Sequence, residues 1–439
     1  MQSVSETQPR GSREHVSVSD IVIGVVIGRT AEFFDFFVFA IASVLVFPKY
    51  MFPFASPVAG MLYAFLILAL AFVARPVGTL IFTEVDRRYG RGTKLTAALF
   101  LLGTSTVAIA FIPGYEQEGW LSIASLCLFR MGQGAAFGGS WDGMSSLLAM
   151  NAPKDRRGRM ALIPQLGAPL GLIMASGLYI YLTTSLTEEE FLIFGWRYPF
   201  FVVIGINIVA LFARLRMVIS DEFKTLFSET ELSPGPPLTT VREEWWDIIL
   251  GAFTPLATLA LFHMVTVFPM GWIMLHAEQD LISFLFIEII GAVCGVGAIV
   301  ASGPIADKYG RVPFLSACAM AIAGFAVIFP AVLSMGFIGE TLYVVFGFIL
   351  LGLSFGQSSG FGASGFALKN RYTASNLTAD LAWMFGAGFA PFVALALTES
   401  LGLWSAGAYL LSGAICTLVA LNLFRRRHDD HPRESDARP

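Results

Sequence analysis

Arg29, Glu32 and Asp35 stand three residues apart in Gly28-Arg29-Thr30-Ala31-Glu32-Phe33-Phe34-Asp35-Phe36-Phe37, a stretch otherwise small or apolar. On a helix that spacing puts the charges about one turn apart along neighbouring faces. A carboxylate facing a guanidinium can exchange that partner for a proton, and a guanidinium can grip a carboxylate bidentately. Glu32 and Asp35 are therefore candidate proton carriers, and Arg29 a candidate docking group for an anion. The structural alternative is that Arg29 and Glu32 simply neutralise each other, which leaves Asp35 in need of another partner. Arg130, in a second apolar run, is open to three readings: counter-ion to these carboxylates, second docking group, or a tie between helices.

Further along, Asp142 is either cavity-lining and proton-coupling or interfacial. Gln165, between two prolines, and Gln357, in a Gly- and Ser-rich run, are each either a neutral substrate contact or a helix-to-helix hydrogen bond. Phe34 and its neighbours either wall a pocket or pack the core. Glu288 and His263 lie deep in apolar runs, and Asp380 lies about one turn into another. A charge at such depth is costly and marks a pathway or a paired site.

The elements that must position these groups are membrane helices. The chain has 439 residues, 56% hydrophobic and 14% charged, with a mean hydropathy of +0.70. Soluble domains carry about 25% charged residues. Runs of about 20 apolar residues predict twelve spans: 20–47, 58–82, 95–113, 120–150, 160–184 and 197–217, then 247–275, 280–303, 313–336, 340–367, 375–398 and 402–424. With both termini cytoplasmic, 23 of the 28 Lys and Arg residues fall on the cytoplasmic side and only Lys49 and Arg197 opposite. That asymmetry sets the expected orientation. Residues 1–19 lack the apolar core of a cleavable leader. The four cysteines fall in apolar runs at no metal-like spacing, and no basic patch with interleaved aromatics points to nucleic acid. No cofactor or metal is expected.

Asp86-Arg87-Arg88-Tyr89-Gly90-Arg91 follows the second span, and Asp307-Lys308-Tyr309-Gly310-Arg311 follows the eighth, 220 residues later. Such spacing implies two parallel halves. The expected organisation is a cytoplasmic tail (1–19), a six-helix bundle (20–218), a cytoplasmic linker (219–245), a second six-helix bundle (246–424) and a cytoplasmic tail (425–439). Asp221-Glu222-Phe223 suits a short surface helix within the linker. The loop residues Asp86, Arg88, Arg91, Asp307, Lys308 and Arg311 are assigned to gating, besides their topological role.

The repeated loop resembles that of the major facilitator superfamily. Gly28 through Phe39, Arg75-Pro76-Val77-Gly78, Arg130-Met131-Gly132-Gln133-Gly134, Pro164-Gln165-Leu166-Gly167 and Gly195-Trp196-Arg197-Tyr198-Pro199-Phe200 resemble its metabolite:proton symporter branch. Here Arg29 replaces the branch's usual Asn, Phe33-Phe34 its Trp-Tyr pair, and Ser140 a Glu. Thr83 stands for a Gly in the first loop. The resemblance implies an all-α membrane transporter, monomeric, in the inner membrane, whose first and fourth helices line a central cavity. It implies proton symport of a metabolite, and the extra Arg29 favours a small mono- or dicarboxylate. A zwitterion symporter or a proton-driven exporter is the alternative. A sensor would bring an added soluble domain, and an enzyme a catalytic cluster. Neither feature is present in the sequence.

Overall fold

The computed structural model describes residues 18–140, 152, 154–219, 233–276, 281–358 and 365–430. Among them there is no β-strand. Twelve long helices carry the chain. The first six are α1 (Val18–Leu45), α2 (Pro57–Tyr89), α3 (Arg91–Ala110), α4 (Trp120–Ser140), α5 (Arg157–Ser185) and α6 (Tyr198–Ile219). The others are α7 (Leu256–His276), α8 (Leu281–Tyr309), α9 (Arg311–Leu333), α10 (Phe337–Phe355), α11 (Arg371–Leu401) and α12 (Trp404–Asp430). Ten of them include stretches long and apolar enough to cross a membrane. The two that fall short of that apolarity are α1, with Arg29, Glu32 and Asp35, and α4, with Arg130 and Gln133. Their 28 and 21 residues still reach across a hydrocarbon core about 30 Å thick at about 1.5 Å per residue.

The sequence repeat reappears in three dimensions. α2 ends at Gly90 with φ +84° and α8 at Gly310 with φ +87°, so both turns use a backbone conformation that glycine adopts without strain. Both loops lie at one end of the molecule, here termed the loop face. The helices approaching that face outrun their apolar cores: α2 continues to Tyr89 and α8 to Tyr309, beyond the expected ends at 82 and 303. Their last turns carry the charged loop residues, which find polar partners there.

Helix pairs of the first half meet on small residues. A Cβ on Gly78 would strike the Ala135 backbone, and one on Gly134 would strike that of Ala71. α2 and α4 therefore cross backbone to backbone, the geometry that small residues permit in lipid. Gly167 lies against Arg29 and Gly171 against Phe33 and Phe34, which brings α5 onto the charged stretch of α1. In the second half, Gly352 of α10 meets the Gly295 carbonyl of α8 in a related crossing.

Two helices depart from regular form. Where one span over 247–275 is expected, there is a helix at Pro237–Phe253, then a break at Thr254-Pro255 before α7. The earlier helix starts inside the expected linker because its own residues are anchored: Glu244 is buried, and Asn370 Nδ2 donates to Glu243 at 2.8 Å and to Glu244 at 3.4 Å. α11 contains a π turn at Met384–Gly388, beside which His263 Nδ1 meets the Ala387 carbonyl at 2.6 Å. The surface helix expected at Asp221-Glu222-Phe223 lies outside the described residues.

Candidate functional site

α1, α2, α4 and α11 line a partly open cavity bounded by Arg29, Glu32 and Arg75 together with Phe33, Phe36, Ala71, Phe72, Phe137 and Trp383. Arg29 Nη1 donates to Glu32 Oε2 at 2.5 Å, and Ser140 Oγ donates to the other Glu32 oxygen at 3.0 Å. The Arg29 guanidinium lies 5.0 Å from the Phe33 ring centroid. The i, i+3 pair is thus real, but it stands in a cavity wall with side chains 17% and 10% exposed.

The aromatic walls join the two halves. Phe33 packs against Phe262, Phe355 and Trp383 at 5.9–6.2 Å, and Phe72 stacks on Trp383 at 6.1 Å. Phe36 lies parallel to the His263 ring at 5.4 Å. Behind this layer is a second, smaller void lined by Phe37, Phe262, Phe348 and other apolar groups, with Thr266 its polar exception. Phe34 lines neither space. It sits one residue out of phase, buried where Gly171 of α5 presses on α1.

Asp35 has its own partners away from the cavity. Thr106 Oγ1 donates to it at 3.2 Å and Gln133 Nε2 at 3.1 Å, and Arg130 Nη1 donates to Gln133 Oε1 at 3.0 Å. Arg130 also spends Nε and Nη2 on the Leu68 carbonyl, both at 3.4 Å, and lies 3.9 Å over the Phe39 ring. Both charged groups are fully buried. Gln133 connects them, and no direct contact of the kind the counter-ion reading implies joins Arg130 to Asp35. Arg130 does not line the cavity; its hydrogen bonds run to Gln133 and to the Leu68 carbonyl of α2.

One feature escaped the sequence reading. Arg75 Nε donates to Asp380 Oδ1 at 2.7 Å, and Thr79 Oγ1 donates to Asp380 Oδ2. This pair joins α2 to α11 across the two halves, with Asp380 buried and Arg75 in the cavity wall. The available signal was two isolated charges of opposite sign, one in an apolar run of each half.

The gating candidates divide. At the loop face, Asp86 lies 3.5 Å from Lys94 Nζ and 3.9 Å from Arg91 Nε. Lys94 Nζ donates to Tyr372 OH of α11 at 2.7 Å, and the Arg91 guanidinium covers that ring. In the related position Asp307 accepts from Gly158 N at 2.6 Å and lies 3.6 Å from Arg159 Nε of α5. Gln357 belongs here: its Nε2 donates to the Gly158 carbonyl at 3.0 Å, and its backbone carbonyl accepts from Arg311 Nη2 at 2.6 Å. It is not in the cavity lining. Arg88 pairs with Glu84 on its own helix, and Lys308 covers Tyr309. Gln165 Nε2 reaches Ser358 Oγ at 3.5 Å, another contact between the halves. Glu288 is fully buried, with neither carboxylate oxygen hydrogen-bonded among the described residues. Asp142 lies outside the described residues. Among them no cluster of His, Cys, Asp or Glu could hold a metal ion.

Residues 25–380 match the family model described as Major Facilitator Superfamily. Over 428 residues the chain is 35% identical to the inner membrane metabolite transport protein YhjE of Escherichia coli, with 95% of each chain covered. It is 27% identical to the shikimate transporter of E. coli (92% of this chain, 93% of that one). To the proline/betaine transporter of E. coli it is 26% identical (90% and 80%). The fold is shared with a crystal structure of a D-xylose-proton symporter, at TM-score 0.67 and 16% identity over 93% of this chain and 97% of that one.

Proposed function

The chain belongs to the major facilitator superfamily, and from that premise we propose that this secondary transporter takes up a small organic anion together with protons. The observation that carries the reading is the Arg29–Glu32 contact of 2.5 Å in the wall of an aromatic cavity. Arg29 docks the substrate carboxylate through its planar donors. Glu32, losing its partner to the substrate, takes up a proton, so substrate and proton bind together. Asp35 sits behind this pair, held by Thr106 and Gln133, and holds the frame. The shikimate transporter among the relatives handles a compound of the proposed class.

The two halves, 20–218 and 246–424, rock about the cavity to give alternating access. Both termini and the loop face are cytoplasmic, and the protein works as a monomer in the inner membrane. Asp86–Lys94–Tyr372 and Asp307–Gly158 hold the loop face shut in the outward-facing part of the cycle.

One observation favours a second substrate class. Phe33, Phe36, Phe72 and Trp383 beside the Glu32 carboxylate suit a quaternary ammonium, whose charge is attracted to aromatic faces. A betaine-like zwitterion would then place its carboxylate on Arg29.

Purified protein in liposomes containing a pH-sensitive dye separates the two. Lactate, succinate, shikimate and glycine betaine are added singly. The anion reading expects substrate-dependent acidification of the lumen with at least one of the first three, lost in Arg29→Asn. A response to betaine alone transfers the assignment to the zwitterion, and retained anion uptake in Arg29→Asn removes Arg29 as docking group.

A further inference from the structure

Arg75 has an unusual balance of partners for a guanidinium in a membrane protein. Its hydrogen bonding among the described residues is to Asp380 alone, through Nε, and Nη1 and Nη2 make no hydrogen bond. It shares the cavity lining with Arg29. Arg130, by contrast, commits all three nitrogens. The other member of the pair, Asp380, is 1% exposed and held on its second oxygen by Thr79. Arg75 and Thr79 are both on α2, and Asp380 is on α11, so this one carboxylate clamps the two halves directly beside the cavity.

We infer that Asp380 is an internal stand-in for the substrate's carboxylate, and that Arg75 is a second anion subsite from which the substrate displaces it. The inference rests on the anion reading of the cavity. A free carboxylate entering the cavity offers Arg75 a bidentate partner, whereas Asp380 engages it through one nitrogen. Accepting the substrate releases Asp380 and with it the α2–α11 clamp. Filling the site and freeing the halves then become one event, with a coupling set by the difference in affinity between the clamped and unclamped states. The arrangement also discriminates: a neutral compound, however well it packs on Phe72 and Trp383, has nothing to exchange for Asp380.

The test uses full-length protein in which Cys127, Cys294, Cys318 and Cys416 are replaced by Ala and Ala71→Cys reports opening of the cavity through labelling by an impermeant maleimide. The probes are lactate, succinate, shikimate and glycine betaine. With Asp380 intact, a bound anion should raise labelling, and glycine betaine, which also carries a carboxylate, should do so only if it binds. In Asp380→Asn, labelling should be high before any probe is added, and the apparent Kd of the responding anion should fall roughly three- to tenfold, because no internal carboxylate competes. Thr79→Val, which keeps the charge and removes one bond to it, should shift both readouts the same way by less, and it carries the test if Asp380→Asn is not recovered folded. Anion binding with labelling and Kd unaltered in the folded variants overturns this inference and leaves the anion reading standing. No anion bound by the Asp380-containing protein overturns both.

Discussion

Two sets of arginine and carboxylate lie within a few turns of each other in the first half, and they differ in how completely their atoms are used. Arg130 and Asp35 are joined through Gln133, backed by Thr106, the Leu68 carbonyl and the Phe39 ring, and no solvent reaches them. Arg29, Glu32 and Arg75 are paired too, but in a cavity wall and with donors in reserve on Arg75. Depth in the membrane is nearly the same for Glu32 and Asp35, less than one turn apart. Depth therefore does not separate the two sets; what does is that donors are left unused beside open space on Arg75 and on none of the Arg130 nitrogens.

The sharpest way to break that comparison is to remove one arginine from each set. Arg130→Ala leaves the partners of a buried charge unsatisfied and should cost about 3–5 kcal/mol, seen as a large fall in apparent Tm in detergent and loss of a monodisperse peak. Arg29→Asn should abolish anion uptake with little change in Tm. Equal Tm losses in the two variants would erase the distinction. A smaller effect is expected at the α2–α4 crossing, which sets both Leu68 against Arg130 and Arg75 in the wall. Gly134→Ala drives a methyl into the Ala71 backbone and should cost about 1–3 kcal/mol, lowering Tm and weakening anion binding together. The smallest effect belongs to Lys49–Glu188, exposed at 2.8 Å on the opposite face. The hydrogen bond and charge of Lys49 hold the Glu188 carboxyl below its ordinary value. Its contribution is therefore present above the ordinary carboxylate pKa and lost as pH falls through the lowered one. Exposed pairs are worth about 0–1 kcal/mol, so Lys49→Met should leave Tm within error at neutral pH.

Hydropathy and the Gly90/Gly310 repeat were enough to read the helices and their duplication from the chain, because apolar length and a positive-φ turn are local properties. Helix ends were less legible: α2 and α8 run on through charged turns whose partners lie on other helices. The site was legible in part. Arg29 and Glu32 are neighbours in sequence and in space, so their pairing could be read directly. The Arg75–Asp380 pair could not, since its members are 305 residues apart and each alone looks like an interfacial charge. Arg130 stayed open among three readings for a different reason. A backbone carbonyl such as that of Leu68 leaves no trace in residue type, so a saturated guanidinium and a waiting one look alike. Phe34 differed from Phe33 only in helical phase, which depends on where α5 packs.

The π turn in α11 lends that helix a property of screws with one thread too many. Five residues, Met384–Gly388, hold a wider loop of backbone between the part that carries Asp380 and Trp383 and the part that begins at Ala390. One extra residue in a helix of 3.6 per turn offsets the two parts by about 100°. Moving the wide turn along by one residue would swing the side chains it passes through that angle without unwinding either end. Deleting a residue there would remove the offset and lock the two parts in one register. The surplus residue is what sets the angle between Trp383 and the half of α11 that begins at Ala390.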